Sequence, residues 1–397
     1  MGVLFRKQGG DFRFTKIGKL AIISLIAAFS FSIVETIWAI YIDSFLHNAS
    51  YVGFLTAFLT LISFFSYFFF IPLIEKTNKS KIYSISLVLF AVTYVLFAIN
   101  TNFYFFVLLA LLVTILQTLR VTSFGIIIKD KSPEKSLSKN EGLMYTFANI
   151  SWAIGPLIAG FIAEKYNMNI VFILSSIFIL IALLSFKISK INDPNIKKKP
   201  DYNLLKNFIE FFKDKDRVFA YFIGGGVNLW WVLIYLYIPL FIIRSNLSEI
   251  WIGYFLFAIA IPLILFEYMF GKLAGKIGFK KVFKVGYLIP CIIALSCFFV
   301  TNIFLILGLL IFASTGLAML ESTTEAYFFD VLKKKQGSRF YGPYNTTMDV
   351  NMFIGKIIPA IALIFLPFKS IFIIFSLFML IFFFLSCKTK EVIERKR

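Results

Sequence analysis

Twelve long apolar stretches dominate this chain of 397 residues. Each approaches or exceeds the roughly 20 residues that a helix needs to cross a bilayer. The stretches cover about residues 20–42, 51–74, 82–99, 103–128, 142–162, 168–186, 218–243, 250–271, 285–300, 303–331, 341–366 and 370–386. We therefore predict an all-α membrane protein with twelve transmembrane helices. The first is longer than a signal-peptide core, so we expect it to be an uncleaved span.

The composition excludes most other classes of protein. Only 15% of the residues are charged and 52 are Phe, which leaves too few polar side chains to cover a soluble fold. The three cysteines have no metal-ligand or redox spacing, and His47 is the one histidine. We therefore expect no disulfide framework, no metal site and no cofactor.

The net charge of +19 would suggest a nucleic-acid partner if the protein were soluble. The distribution of Lys and Arg gives another explanation, because 35 of the 40 lie in alternate loops on the side of the N-terminus. Cytoplasmic loops carry such an excess. We predict a multi-pass plasma-membrane protein with both termini in the cytoplasm, in contact with the lipid bilayer and without a nucleic-acid partner.

The longest connection divides the helices six and six. We predict an N-terminal six-helix bundle over residues 1–187, a cytoplasmic linker over 188–217 and a C-terminal six-helix bundle over 218–397. Within the linker, apolar residues recur at helical spacing beside lysines, at Leu204, Leu205, Phe208, Ile209 and Phe212. This pattern favours a short amphipathic helix on the cytoplasmic leaflet. A solvated basic linker is the alternative.

A shift of 200 positions aligns the two halves without a gap. Gly53 then matches Gly253, and Thr101-Asn102 matches Thr301-Asn302. A duplicated set of six helices is typical of transporters that bind their substrate near the membrane midplane. This organisation resembles the major facilitator superfamily along the whole chain.

That family has the loop signature G-x-x-x-D-[RK]-x-G-[RK]-[RK] after its second helix and a related loop in the second half. The second half of this chain keeps Gly271, Lys276 and Gly278, with Gly275 in place of the acid. The first half keeps Glu75 and Lys76 but neither glycine. The resemblance implies a cytoplasmic gating latch at these residues, and an ordinary basic loop is the alternative.

The fifth span is similar to the G-x8-G-x3-G-P-x2-G-G motif of the proton antiporters in this superfamily. The matching residues are Gly142, Ser151, Gly155, Pro156, Ala159 and Gly160. Small residues allow close helix contact and a proline can bend a helix, which suits a gating seam but also any tightly packed helix pair. In the fourth span, Arg120 matches the arginine of the family signature L-x-x-x-R-x-x-Q-G.

Seven ionisable residues lie within the predicted spans, namely Glu35, Arg120, Glu267, Glu321, Glu325, Asp349 and Lys356. A charge near a helix centre costs about 3 kcal/mol when it faces lipid, so we expect these side chains to face a shared wet cavity. In the fold that the chain resembles, the first helix of each three-helix unit lines that cavity. From their depth along the spans, Arg120 could meet Glu321.

These charges suggest a proton-coupling or substrate site. In our hypothesis, Glu35 and either Glu321 or Glu325 load and release protons, while Arg120 pairs with a carboxylate or yields it to substrate. A static buried salt bridge is the alternative for each residue. Trp38, Asn228, Trp231 and Tyr235 are candidates for lining the cavity, with ordinary packing as their alternative.

We therefore predict a secondary active transporter and not an enzyme. The leading hypothesis is a monomeric antiporter that works by alternating access and uses protons to drive efflux of a small amphipathic molecule. No G-x-x-x-x-G-K-[ST] loop is present to bind ATP. Proton-coupled uptake of a sugar, nucleoside or amino acid is an alternative within the class, and a transport-inactive receptor is an alternative outside it.

Overall fold

A computed structural model shows a protein built almost entirely from helices. It describes residues 5–8, 11–132, 137–191, 204–332 and 336–391. Lys197, Lys198 and Lys199 of the predicted linker lie outside these residues. The side chains of Glu75 and Lys76 also lie outside the described part of the structure, and so do the surroundings of Gly142.

The helices follow one another with short connections. Their bounds are α1 Lys16–Leu46, α2 Ala49–Lys76, α3 Lys79–Ile99, α4 Phe103–Lys131, α5 Leu137–Lys165, α6 Met168–Ile188, α7 Leu204–Phe211, α8 Lys215–Val232, α9 Ile238–Arg244, α10 Glu249–Ile277, α11 Phe279–Phe299, α12 Ile303–Val331, α13 Gly337–Phe365 and α14 Ile371–Lys388. A π-helix, Leu233–Tyr237, joins α8 to α9 so that the three form one span. Within the described residues, twelve helical segments are long and apolar enough to cross a membrane, which confirms the predicted fold class.

Two short strands precede the first helix, and the sequence analysis did not anticipate them. Strands β1, Phe5–Gln8, and β2, Asp11–Phe14, pair antiparallel with Phe5 opposite Phe14. They add a small hairpin before α1 and leave the helical architecture unchanged.

Asparagine side chains start several of the helices. Asn102 Oδ1 accepts a hydrogen bond from the backbone N–H of Phe105 at 3.0 Å, and Asn302 Oδ1 accepts one from Leu305 at 3.1 Å. Such caps satisfy backbone donors that the first helical turn leaves without partners. The Thr-Asn pair that occurs in both halves therefore lies at the start of two equivalent helices, α4 and α12.

The two copies of the loop signature start their helices differently. Gly278 precedes α11 with a φ of 95°, a left-handed conformation that favours glycine. At the equivalent place before α3, Asn78 has a φ of −73° and its side chain accepts a hydrogen bond from the N–H of Lys81. The backbone of the first copy therefore does not require a glycine at this position.

The helices form two compact units. The first unit comprises the described residues within 1–41, 61–199 and 248–254. The second unit comprises the described residues within 42–60, 200–247 and 255–397. Within the first unit, α3 packs along α4 and α6, and within the second, α11 packs along α12 and α14. The same pairing of equivalent helices fits the internal repeat. The domain boundaries given above stay a prediction.

Aromatic rings form much of the core of the first unit. Tyr41 packs edge-on against Phe172, with ring centroids 4.7 Å apart, and against Phe106 at 5.6 Å. The Tyr41 hydroxyl donates a hydrogen bond to the carbonyl oxygen of Phe97 at 2.8 Å. This cluster ties α1 to α3, α4 and α6.

Close backbone packing forms the core of the second unit. Gly224, Gly225 and Gly226 in α8 are buried, and a methyl group at Gly226 would lie 2.6 Å from the Tyr287 ring of α11. A methyl group at Gly225 would overlap the Asn351 amide of α13. The three consecutive glycines therefore permit close contact of α8 with α11 and α13.

Candidate functional site

In the first unit, Arg120 is a half-buried cation on α4. Its Nε and Nη2 donate hydrogen bonds to Gln117 Oε1 at 3.2 and 3.1 Å. The guanidinium also lies over the ring of Phe31 in α1, 3.9 Å from the centroid. Both partners are uncharged, so they orient the guanidinium without supplying a negative charge.

Glu35 and Trp38 lie one turn apart on α1. Glu35 is half-buried, and its charge and that of Arg120 both act on the Tyr94 hydroxyl. The Trp38 ring packs against Phe97 and Phe106, with centroid distances of 5.5 and 5.9 Å. These contacts place Trp38 beside the aromatic core of the first unit, and its cavity-lining role stays a prediction.

In the second unit, Glu321 on α12 is held by a tryptophan. The indole Nε1 of Trp231 donates a hydrogen bond to Glu321 Oε1 at 2.5 Å, and the Trp231 ring lies 5.6 Å from that of Tyr235. Glu267 on α10 is half-buried and interacts electrostatically with Glu321. The structure therefore brings one carboxylate, that of Glu321, together with two aromatic rings from the candidate residues, and places Glu267 close enough for its charge to act on Glu321.

Asn228 also lies on α8, but it bonds within its own helix. Its Nδ2 donates to the carbonyl oxygen of Gly224 at 3.3 Å. Asn228 is half-buried, one turn before Trp231.

Glu321 and Glu325 lie four residues apart on α12 but have different surroundings. Glu325 is exposed and accepts a hydrogen bond from the Tyr341 hydroxyl of α13 at 2.8 Å. Asp349, also on α13, is half-buried and close enough to Tyr221 for its charge to act on that hydroxyl. Of these three carboxylates, Glu321 is the one that lies with Trp231 and Glu267.

Lys356 binds a side chain that the sequence analysis did not identify. Its Nζ donates a hydrogen bond to Thr60 Oγ1 at 2.8 Å, and its backbone carbonyl accepts one from the Tyr237 hydroxyl at 2.9 Å. Nearby, a methyl group on Gly53 would lie 2.7 Å from Ala360 Cβ. The first part of the second span, residues 49–60, is therefore packed closely on α13 within the second unit.

The motif residues of α5 make close contacts within the first unit. A methyl group on Gly155 would overlap the Ser32 side chain, and one on Gly160 would lie 3.1 Å from Gly253. The carbonyl of Pro156 also faces Gly253. These small residues allow helices to approach closely.

Other motif residues lie at the surface or have a local role. Gly271 is half-buried near the end of α10, and Lys276 in the last turn is exposed. Gly278 supplies the positive φ described above. The gating role of these residues stays a prediction, as do those of Glu75, Lys76, Gly142, Gly155, Pro156 and Gly160.

Charge compensation is incomplete at the candidate residues of each unit. Four ion pairs are present in the described part of the chain, and none includes Arg120, Glu267 or Glu321. The predicted approach of Arg120 to Glu321 stays a prediction. Among the described residues, no group of three or more His, Cys, Asp or Glu side chains could hold a metal ion.

Comparison with known proteins identifies similar sequences and folds. The family model described as Major Facilitator Superfamily matches residues 20–355 and 252–396. An uncharacterised MFS-type transporter of Methanocaldococcus jannaschii is 24% identical over 230 residues, which is 57% of this chain and 59% of that protein. The match thus spans less than two thirds of that relative.

Solved transporter structures share the fold at low sequence identity. A variant of the nucleoside transporter NupG has a TM-score of 0.76 and 12% identity, covering 94% of this chain and 99% of that one. A bacterial homologue of the human lysosomal transporter Spinster, inward-facing and unoccupied, has a TM-score of 0.76 and 11% identity, with coverage of 94% and 96%. The peptide transporter POT with sulfate has a TM-score of 0.74 and 11% identity, with coverage of 96% and 94%.

Proposed function

The chain belongs to the Major Facilitator Superfamily of secondary transporters, and we propose that it exports a small amphipathic molecule in exchange for protons. It does so by alternating access in the plasma membrane, as a monomer with both termini in the cytoplasm. The observation that carries this proposal is the presence of half-buried ionisable groups within spans that form no ion pair with any other residue the structure describes.

Arg120, Glu267 and Glu321 are those groups, and their energetic cost needs an explanation. A charge that faces lipid near a helix centre costs about 3 kcal/mol, so keeping three such groups within spans without ion pairs among the described residues is unfavourable. During the transport cycle, a ligand or a proton can neutralise these groups and so remove their energetic cost. Binding then offsets a cost that a static scaffold would carry permanently.

The Trp231, Tyr235 and Glu321 cluster supports an amphipathic substrate. The two rings offer apolar faces, while the carboxylate offers a hydrogen-bond acceptor or a negative charge. Arg120, held by Gln117 and Phe31, supplies a cation that can bind a carboxylate or a substrate anion. In this scheme Glu35 and Glu321 bind and release protons, while Arg120 pairs with a carboxylate or yields it to substrate.

The first experiment identifies ligands by their effect on thermal stability. Purified protein is screened against a compound library at two pH values on either side of neutrality. A ligand stabilises the protein according to its concentration relative to its Kd, and proton coupling makes that stabilisation depend on pH. Ligand stabilisation that is the same at both pH values for every hit would contradict proton coupling.

The second experiment determines the direction of transport with the ligand so found. In vesicles with a pH gradient, antiport drives protons opposite to the substrate, whereas uptake by symport moves both in one direction. The sign of the pH change on substrate addition therefore separates efflux from nutrient uptake. Binding without accumulation would identify a receptor and refute the transport function of this chain.

Two glutamine variants test the proton carriers. Glu35→Gln should abolish substrate-driven proton movement and leave substrate binding measurable, because the amide keeps the side chain's size but does not titrate. Comparison of Glu321→Gln with Glu325→Gln shows which of the two carboxylates participates. Asp216→Asn, on the cytoplasmic end of α8, is the matched control. Unchanged coupling in Glu35→Gln would remove Glu35 from the scheme.

A further inference from the structure

Helix α7, Leu204–Phe211, is amphipathic and has one face fixed to the second unit. Phe211 is fully buried, with its ring 6.0 Å from those of Tyr221 and Phe340. Arg217 of α8 donates to the carbonyl oxygens of Glu210, at 2.6 Å, and of Phe211, at 3.0 Å. These bonds cap the C-terminus of α7 and hold it beside the start of α8.

A second arginine fixes the same face from α13. Arg339 Nε donates to Asn207 Oδ1 at 2.8 Å, and its Nη2 forms an ion pair with Glu210. Asn207 and Phe211 are four residues apart, so they share one face of the helix. The face of α7 that carries Asn207 and Phe211 is therefore covered by α8 and α13.

The other side of α7 and the turn after it expose apolar and basic side chains together, although the Phe212 ring also packs edge-on against Tyr221, with centroids 5.2 Å apart. Ile209 is 62% exposed and Phe212 is 43% exposed, and Lys213 and Lys215 beside them are exposed as well. We call Ile209, Phe212, Lys213 and Lys215 the docking face. Ile209 lies in α7, Phe212 and Lys213 lie in the turn that follows it, and Lys215 begins α8.

The position of the docking face indicates its binding partner. Lys215 is the first residue of α8, which belongs to a membrane-spanning segment, so the face lies where a span begins. Apolar side chains flanked by lysines at that level are typical of segments that lie in the headgroup region. The loops on this side of the chain hold 35 of its 40 Lys and Arg, as expected for the cytoplasmic leaflet with its anionic lipids.

We infer that α7 is a membrane-docking helix that binds anionic phospholipid of the cytoplasmic leaflet. Ile209 and Phe212 enter the boundary of the acyl chains, and Lys213 and Lys215 contact lipid phosphates. Because Arg217 and Arg339 join the other face of α7 to α8 and α13, the lipid surface is linked directly to the ends of two spans. This inference does not depend on the proposed substrate or on proton coupling.

A fluorescent reporter on the docking face tests the inference in the full-length protein. Cys387 is replaced by Ser, Cys291 and Cys297 are buried, and Ile209→Cys carries an environment-sensitive dye. The protein is reconstituted into vesicles of phosphatidylcholine, alone or with phosphatidylglycerol. Nitroxide-labelled lipid and aqueous iodide then serve as the two quenchers, and Phe212→Cys provides a second reporter.

We expect lipid nitroxide to quench the reporter and iodide to have little effect, with stronger lipid quenching in anionic vesicles. Neutralising Lys213 and Lys215 to Gln should lower the ratio of docked to undocked α7 in anionic vesicles by about fivefold per lysine. The matched control neutralises two exposed lysines, Lys187 in the last turn of α6 and Lys190 just after it, and should retain the dependence on lipid charge.

Three results would overturn the inference. Quenching by iodide and not by lipid nitroxide would place the docking face in water. Lipid quenching that is equal in neutral and anionic vesicles would refute recognition of anionic lipid. Protection from both quenchers that increases with the ratio of protein to lipid would instead indicate a second copy of the chain on this face.

Discussion

Trp231 donates its indole N–H to the Glu321 carboxylate, a bond that joins α8 to α12 inside the second unit. Hydrogen bonds to charged acceptors contribute about 1.5 to 3 kcal/mol, and a half-buried acceptor without its donor is costly. The bond also fixes where the carboxylate lies relative to Tyr235. It is therefore both a structural contact and a constraint on any ligand of this site.

A double-mutant cycle measures the Trp231–Glu321 bond. We expect Trp231→Phe to lower the free energy of unfolding by about 1 to 3 kcal/mol, because phenylalanine keeps an apolar ring but has no donor. Combined with Glu321→Gln, the two changes should show a coupling of about 0.5 to 3 kcal/mol. Unfolding in mixed micelles by denaturing detergent provides the measurement.

The control cycle pairs Trp231→Phe with Glu325→Gln. Glu325 bonds to Tyr341 and not to Trp231, so these changes should be additive. Equal coupling in the two cycles would contradict a specific Trp231–Glu321 interaction.

Glycine substitutions test the close packing of residues 49–60 on α13. A methyl group at Gly53 would lie 2.7 Å from Ala360 Cβ and 2.9 Å from the Tyr237 hydroxyl oxygen. We expect Gly53→Ala to destabilise the protein by about 1 to 3 kcal/mol through overpacking. The midpoint of thermal unfolding in detergent measures the effect.

Gly308→Ala is the matched control for this substitution. Gly308 also lies within a membrane-spanning helix, α12, but nothing lies within 4 Å of where its methyl group would be. Alanine should be neutral there or stabilising by up to about 1 kcal/mol, because it favours the helix. Similar losses of stability at Gly53 and Gly308 would refute the packing argument.

Much of the fold could be predicted from the sequence because the bilayer restricts a chain of this composition to few structures. The lengths of the apolar stretches predicted the twelve spans. The 200-residue repeat indicated that the two units would contain equivalent pairs of helices. The repeated asparagines at 102 and 302 were visible in the sequence, and the structure shows that each caps a helix. These are local or periodic signals.

The partners of the candidate charges were harder to predict. Gln117 could have been found, because it lies three residues before Arg120 on the same helix face. Thr60 could not, since it is 296 residues from Lys356 and is one of many threonines in apolar sequence. Burial of Glu321 and exposure of Glu325 likewise depend on which neighbouring helix covers each residue.

The face of α7 that packs on the protein was also missed. The spacing of Leu204, Leu205, Phe208, Ile209 and Phe212 predicted an apolar face, but Phe211 is the ring that is fully buried. Periodicity alone does not say whether an apolar residue meets protein or lipid. Arg217 and Arg339, which decide the orientation, lie outside the short helix itself.

Valine substitutions test whether Thr60 is the anchor of Lys356. Thr60→Val keeps the shape of the side chain but removes the acceptor of the Lys356 ammonium, so we expect a loss of about 1 to 3 kcal/mol in the free energy of unfolding. Thr56→Val is the control, because Thr56 Oγ1 bonds to backbone carbonyls of its own helix, at Val52 and Gly53. It should cost less than Thr60→Val. Equal effects would mean that the Lys356 contact adds nothing measurable.

Hydrogen exchange at α7 tests the two arginine contacts that hold it. Arg339→Gln removes the ion pair with Glu210 and the hydrogen bond to Asn207, so the helix should open more often. We expect amide exchange within residues 204–211 to accelerate about tenfold, which corresponds to about 1.4 kcal/mol.

Lys390→Gln is the matched control, because it removes an ion pair with Asp216 that spans 3.6 Å between largely exposed side chains. Such pairs contribute about 0 to 1 kcal/mol, so exchange in α7 should change little. Exchange that is unaffected by Arg339→Gln would show that Phe211 packing and Arg217 suffice to hold the helix. The direct link from α7 to α13 would then have no energetic role, and any influence of the lipid surface on the spans would pass through α8.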